Sequence, residues 1–480
     1  MASKFLNLSN TNRAITETEF PVSRIHKLVA ETEESFVKGT QKYDFEEIIR
    51  ADIGVAQDPD HGPITFARQM MALACLPALR SDPMFPSDVK SRVEQLLNDC
   101  PGRGLGSYVA TYGIEGIRKH VAEFIERRDG HPSNYENIYL CSGSDYILRH
   151  IIQAFAVVSN GKPSGVLTPI PGPPQYSWTI TQHRMKPVSY NLKYDDNGWS
   201  IDVDELKRTL DESRKFCCPR VILINNPGNP AGQILTKQNI EDIIKFAYNE
   251  KLFIIADEVY QNNIYSDEKE FVSFKKVLCD LGSPYDGMQM ASVMSTSKGY
   301  LGECGARGGY FELLNVDAEE RYVLYKLLSS NTCPNVAGQI YVESLVNPPR
   351  KGDPSYELFI NERNKIMSLH KSKIELITEN LKGIKGISSI KPEGAPYIFA
   401  QMEVPPKAVK EAERQSICPS EMYTTKLLRS TGICVSPGLI FGQIPGRYFF
   451  RMSALLPKSK LRSVVARIQE FHESFLLKYK

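Results

Sequence analysis

The chain has 480 residues, which at about 150 residues per domain gives room for roughly two to four domains, and its 42% hydrophobic and 24% charged content excludes a disordered or fibrous polymer. With 58 basic against 56 acidic residues the formal net charge is +2, so no global field favours a nucleic-acid backbone or an anionic membrane surface. The most apolar stretch, around 151–158, falls far short of the roughly 20 residues that a membrane span needs, which leaves a folded enzyme or binding protein.

Near the start, Lys4 and Arg13 alternate with Glu17 and Glu19 and no continuous hydrophobic run occurs, so neither a secretory signal nor a mitochondrial transit peptide is expected. Ser87 is placed to cap a helix over 88–98, with Val89, Val93, Leu96 and Leu97 on one face. Ile114, Ile117, Val121, Phe124 and Ile125 mark a second apolar helix face, ended by Gly130. Gly102-Arg-Gly-Leu-Gly106 lacks the spacing of a nucleotide loop and Gly161-Lys162 is followed by Pro163, so both are assigned to loops. Short apolar runs at 221–224, 253–256 and 290–294 predict buried strands of a largely parallel sheet. Polar residues follow each run: Asn225-Asn226-Pro227-Gly228-Asn229-Pro230, then Asp257-Glu258-Val259-Tyr260, then Ser295-Thr296-Ser297-Lys298. In open α/β sheets the carboxyl edge of the strands is where ligands bind. Leu461, Val464, Val465, Ile468, Phe471 and Phe475 predict a terminal amphipathic helix closing a second domain. The ten cysteines form no CxxC pair and read as reduced thiols of a cytoplasmic protein, and the eight scattered histidines give no metal site.

An Asp, a Tyr, an Asn, a Ser, a Lys and an Arg gathered at one sheet edge would suit a cationic pyridine ring carrying a phosphate, which describes pyridoxal phosphate. The segments Asn226-Pro-Gly-Asn-Pro-Ala-Gly232, Ala256-Asp-Glu-Val-Tyr-Gln261 and Ser295-Thr-Ser-Lys-Gly-Tyr-Leu-Gly-Glu-Cys-Gly-Ala-Arg-Gly-Gly-Tyr310 resemble the class I/II, fold type I aminotransferases that use this cofactor. The motif around Lys298 looks like their alanine aminotransferase branch. The likeness extends from Ile48-Ile-Arg-Ala-Asp-Ile-Gly54 to Gly432-Ile-Cys-Val-Ser-Pro-Gly438 and Phe449-Phe-Arg-Met452. It implies an α/β fold: a large domain over 96–345 with a mostly parallel sheet flanked by helices, an N-terminal arm with part of a small domain over 1–95, and a smaller α/β domain over 346–480.

The resemblance also implies roles. Lys298 matches the lysine that carries the cofactor and moves the substrate proton, and Asp257 the carboxylate beside the ring nitrogen. Tyr260 and Asn229 match the donors to the phenolic oxygen. Ser295 and Arg307 match the phosphate-binding pair, with Gly143 and Ser144 offering backbone N–H groups at a helix start. Arg451 matches the clamp on the substrate α-carboxylate, Gly54 a close backbone approach to substrate, and Tyr108 a tyrosine reaching the neighbouring subunit's cofactor phosphate. The expected activity is transamination of L-alanine with 2-oxoglutarate by a cytoplasmic homodimer with shared sites, acting on amino acids and 2-oxo acids, with no nucleic-acid or membrane partner. Alternatives are another small donor or acceptor such as glyoxylate, and a non-catalytic dimeric homologue.

Three departures from the family pattern bear on the site. The phosphate cup Cys141-Ser-Gly-Ser-Asp145 is one residue short, and Pro173 in Pro171-Gly-Pro-Pro-Gln-Tyr176 replaces the aromatic residue that covers the ring. Tyr176, Trp178 and Tyr146 are candidates to cover it instead. Leu439-Ile440 puts bulky groups where that branch has small ones.

Overall fold

The computed structural model describes residues 11–16, 20–57, 60–195, 198–442, 444 and 446–480. Most of the N-terminal segment read above for a leader, residues 1–10 and 17–19, lies outside them.

Eight strands form the large sheet: β1 (Ile138–Cys141), β2 (Val158–Ser159), β3 (Lys162–Ile170), β4 (Lys186–Asn191), β5 (Cys218–Asn225), β6 (Phe253–Asp257), β7 (Met290–Ser295) and β8 (Gly309–Leu314). Their order is β1-β8-β7-β6-β5-β3-β2, with β4 also on β3. The pairings β4/β3, β3/β5, β5/β6 and β6/β7 are parallel, whereas β8 runs against both of its neighbours and β2 against β3. The sheet is thus mixed, with a parallel centre. The three predicted strands are β5, β6 and β7. Both of their faces are covered, which is why each reads as an unbroken apolar run. Along β5 and β6 the side chains alternate: Ile222, Ile224, Ile254 and Ala256 join one core with helices such as Val203–Ser213 and Lys237–Asn249, while Val221, Leu223 and Ile255 join another with helix Ser144–Ala154.

A second sheet, β9 (Ile387–Ser389), β10 (Tyr397–Met402), β11 (Ser436–Pro437) and β12 (Tyr448–Ser453), has the order β9-β10-β12-β11 and is antiparallel throughout. Helices Tyr356–Lys382 and Lys458–Lys478 pack on it through Ile374, Ile377, Leu461, Val464, Val465, Ile468 and Phe475. The C-terminal amphipathic helix is the one expected from Leu461, Val464, Val465, Ile468, Phe471 and Phe475, with Phe471 only partly buried.

Helix Glu115–Asp129 ends at Gly130 with φ 74, the left-handed conformation that glycine adopts without strain. Helix Ser87–Asn98 buries Val89, Val93, Leu96 and Leu97 as its periodicity predicts. Two local expectations are corrected. Ser87 does not cap that helix: extended Pro86 takes the cap position, Ser87 is the first helical residue, and no side chain caps the start. Lys162 and Pro163 open β3 rather than a loop, because at the start of a strand a proline forfeits little of the ladder.

Candidate active site

The carboxyl ends of β5, β6 and β7 face β10 and β12 across a cavity of about 410 Å³, which residues of both sheets line. β6 ends in Asp257, only 5% exposed. Its carboxylate accepts hydrogen bonds from the Tyr176 hydroxyl at 2.5 Å and the Val259 amide at 3.4 Å. Burial nevertheless pushes its pKa up to about 6, outweighing those two bonds. A cationic group beside this carboxyl would supply the counter-charge that the protein withholds.

Lys298 follows β7, partly buried, its Nζ 5.5 Å from the centre of the Tyr260 ring. Burial lowers its pKa, but the negative charges that Tyr397, Cys304 and Asp145 can carry outweigh burial and the nearby Arg451 and leave it above the ordinary lysine value. Asn229, in the loop after β5, is fixed by its amide donating to Asn225 Oδ1 at 2.7 Å. Its own Oδ1 accepts from Arg451 Nη1 at 3.1 Å, and Arg451 Nη2 donates to the Asp52 carbonyl at 2.6 Å. Arg451, on β12, is 9% exposed, and its guanidinium lies 4.2 Å from the Tyr397 ring centre and 4.6 Å from that of Phe441. Among the described residues it meets no carboxylate, and its Nε has no partner. A buried cation left with neutral partners is costly, so this corner is built to receive an anion.

At the other end of the cavity, helix Ser144–Ala154 opens at Gly143, whose φ is 95. A Cβ there would collide with the Arg307 guanidinium. Arg307 is itself in the left-handed region at φ 56, rare for a non-glycine residue, and its Nη1 donates to the Cys304 carbonyl at 3.1 Å. A helix N-terminus beside a guanidinium fork offers backbone N–H groups and a planar cation to an anion. Ser144, Ser297 and Arg307 line the cavity. Ser295 lies behind its wall, with its hydroxyl 3.0 Å from Ser297 Oγ and 3.3 Å from the Gly308 carbonyl. Gly54 reaches the wall, whereas Tyr108 is 77% exposed and stands outside it.

None of the three proposed aromatic covers lies on the cavity wall. Tyr176 is buried beneath Asp257, Trp178 packs on Phe20 with ring centres 5.3 Å apart, and Tyr146 packs on His150 at 4.2 Å. Pro173, Pro174 and Gln175 line the cavity instead. Helix Pro174–Gln182 begins there and turns Tyr176 into the core. Of the bulky pair, Ile440 reaches the wall and Leu439 is 40% exposed. Sequence reading missed Tyr397 and the wall made by Phe20, Val22, Ile25 and His26 at the start of helix Pro21–Lys38. The signal for that helix was present: Pro21 opens it, Val22, Ile25 and Val29 share a face, and Gly39 ends it at φ 62. Among the described residues no cluster is placed to hold a metal ion and no helix is long and apolar enough to cross a membrane.

Residues 86–468 match the family described as aminotransferase class I and II. The chain belongs to that family. Human alanine aminotransferase 1 is 41% identical to this aminotransferase over 482 residues, covering 100% of this chain and 97% of that protein. Alanine aminotransferase 2 of Xenopus laevis is 41% identical, covering 99% and 88%, and a probable mitochondrial alanine aminotransferase of Dictyostelium discoideum is 38% identical, covering 96% and 86%. In fold, the alanine aminotransferase of Pyrococcus furiosus superposes with a TM-score of 0.76 at 21% identity, covering 97% of this chain and 100% of that one. The tyrosine aminotransferase of Leishmania infantum gives 0.72 at 18%, covering 98% and 99%. The fold is that of the fold type I aminotransferases.

Aminotransferases of this family depend on pyridoxal phosphate, and the residues present fit it. The close approach of Gly143 to Arg307 leaves a cradle that a Cβ would fill, and the uncompensated Asp257 carboxyl suits a protonated ring nitrogen.

Proposed function

We propose that this aminotransferase moves the amino group of L-alanine to 2-oxoglutarate in two stages, releasing pyruvate and then L-glutamate. The observation that carries the reading is Arg451: a buried guanidinium with only neutral partners, in the same cavity as Lys298 and Asp257, has the position and charge to hold an amino acid's α-carboxylate.

In this reading pyridoxal phosphate, when bound, supplies an acceptor for the electrons released at the substrate's Cα. Lys298 would hold the cofactor through its Nζ and would take up and return the substrate's Cα proton. Asp257 keeps the ring nitrogen protonated, and Tyr176 holds that carboxylate in place. Tyr260 and Asn229 donate to the phenolic oxygen. Gly143, Ser144 and Arg307 hold the phosphate, with Tyr108 of a second copy, and Ser295 supports the cup from behind the wall through Ser297. Arg451 and Gly54 orient the substrate, and Asn229 steadies the guanidinium. Ile440 and Phe441 line the same cavity, Phe441 with its ring 4.6 Å from the Arg451 guanidinium.

The reading extends to a homodimer with shared sites, to the division 1–95, 96–345 and 346–480, and to a cytoplasmic location, for which ten free thiols are the support. Cell fractionation tests the location against the mitochondrial one named for the Dictyostelium relative.

The deciding experiment is a half-reaction. Protein loaded with pyridoxal phosphate is mixed with L-alanine and no keto acid, and loss of the visible absorbance band with release of one pyruvate per site is expected. A band unmoved by alanine but bleached by another amino acid would replace the donor, and a protein that takes up no cofactor would end the reading. Substituting Lys298→Ala is expected to abolish the half-reaction.

A further inference from the structure

Tyr397, the first residue of β10, joins the two halves of the site. Its ring lies 4.2 Å from the Arg451 guanidinium, and its hydroxyl is 3.3 Å from that of Tyr260. The two tyrosine rings meet edge to face, 6.0 Å apart at 84°. β10 pairs Tyr397 with Ser453 and Phe399 with Arg451 on β12, so one antiparallel ladder fixes both Tyr397 and the clamp. A Cβ on Gly54 would collide with the Tyr397 hydroxyl, so it is the glycine that leaves room for that group. At 3% exposure, Tyr397 is walled off from solvent.

A tyrosine hydroxyl has one proton to give and two lone pairs to accept with. The Tyr260 hydroxyl is set to donate to Tyr397, yet the reading above needs the same proton for the cofactor's phenolic oxygen. It cannot serve both. We infer that Tyr397 is a positioning residue: when Tyr260 donates to the cofactor, the Tyr397 hydroxyl reverses the bond and donates to Tyr260, while its ring holds Arg451 at the substrate carboxylate. This rests on the placement of the cofactor proposed above. A hydroxyl that receives a hydrogen bond becomes the better donor, because the two bonds polarise each other. The titratable and charged groups facing the pair are Asp257 at the end of β6, Lys298 and Cys304 beyond β7, and Arg451 on β12. Burial raises the Tyr397 pKa, but Lys298 and Arg451 outweigh it and hold the group below the ordinary tyrosine value, which makes it a willing donor.

The test is the pH titration of the visible absorbance of the cofactor-loaded protein, a property of the resting site that turnover does not enter. Tyr397→Phe keeps the ring and removes the proton. The titration midpoint is expected to rise by about 0.1 to 0.3 pH unit, the share of one neutral hydrogen bond that mutual polarisation supplies. In a Tyr260→Phe background the same substitution is expected to leave the midpoint where it was. Gly54→Ala, which pushes the hydroxyl aside without altering Tyr397, is expected to raise the midpoint too, and it reads the role should the Phe protein fail to fold. Tyr397→Leu, which removes the ring from Arg451, is expected to raise the KM for alanine by about tenfold. An unmoved midpoint in Tyr397→Phe, or a shift that persists without the Tyr260 hydroxyl, overturns the inference. A parent protein with no visible band would instead overturn the cofactor placement on which it rests.

Discussion

Asp257 and Arg451 are held in opposite imbalance: a buried acid denied a cation and a buried cation denied an anion. Each therefore costs the empty protein stability that substrate and cofactor return. For Asp257 the sign follows from its pKa, raised by burial from the ordinary aspartate value of 3.8 to about 6. Below about pH 3 the group is protonated whether the chain is folded or not. Between there and about pH 6 the folded form keeps a proton that the unfolded form has released, so stability falls as pH rises through that window. Asp257→Asn cannot ionise. The cofactor-free variant should therefore unfold at a higher temperature than its parent at pH 7.5, by an amount worth on the order of 2–3 kcal/mol, with the gap closed by about pH 3. Its transamination rate should fall at least about a hundredfold, since nothing then keeps the ring nitrogen protonated. A differential scan at the two pH values, with one turnover assay, checks both. Arg451→Lys keeps the charge but loses the planar fork that spans Asn229, the Asp52 carbonyl and a carboxylate. The KM for alanine should rise about tenfold or more, measured by steady-state kinetics.

At the scale of elements, the start of helix Ser144–Ala154 shows how backbone conformation builds a binding site. Gly143 sits at φ 95, and a side chain there would meet both the strain of that conformation and the Arg307 guanidinium. Gly143→Ala should weaken pyridoxal phosphate binding about tenfold or more, from a strain of about 1–2 kcal/mol and a displaced Arg307, as fluorescence titration of the cofactor-free protein would read. The helix start at Gly143 and Ser144 was legible in Cys141-Ser-Gly-Ser-Asp145, where a glycine precedes a run of helical periodicity, and the phosphate role proposed for it comes from the resemblance. The strands β5, β6 and β7 were legible for a different reason: burial on both faces leaves an unbroken apolar run that polar residues must end. What the sequence concealed came from packing across long separations. Tyr397 lies 137 residues from its partner Tyr260, and no local pattern marks one strand tyrosine as facing a cavity. Tyr176 looked suited to cover the ring because it follows the missing aromatic position, yet the proline that opens helix Pro174–Gln182 turns it beneath Asp257.

At the scale of the molecule, the site exists only where distant parts of the chain meet. Arg451 bonds the Asp52 carbonyl 399 positions away, and Lys298 and Asp257 arrive from a different sheet. Tyr108 fits this arrangement poorly within one chain, since it is 77% exposed and stands off the cavity wall. In the proposed homodimer it would complete the phosphate cup of the other copy. That assignment makes a quantitative claim about mixed dimers. A Lys298→Ala chain has no working site of its own but still presents Tyr108, whereas a Tyr108→Ala chain keeps Lys298 and lacks the donated tyrosine. In a hybrid of the two, the site built around the intact Lys298 receives the intact Tyr108. With equal amounts and free exchange, half the dimers are hybrids and each carries one complete site, so about a quarter of all sites should regain the parent activity. If Tyr108 acted within its own chain, every hybrid site would lack one group or the other. The mixture would then show no more than the average of its two parents. Unfolding the two chains together, refolding them and assaying alanine turnover against that average separates the outcomes.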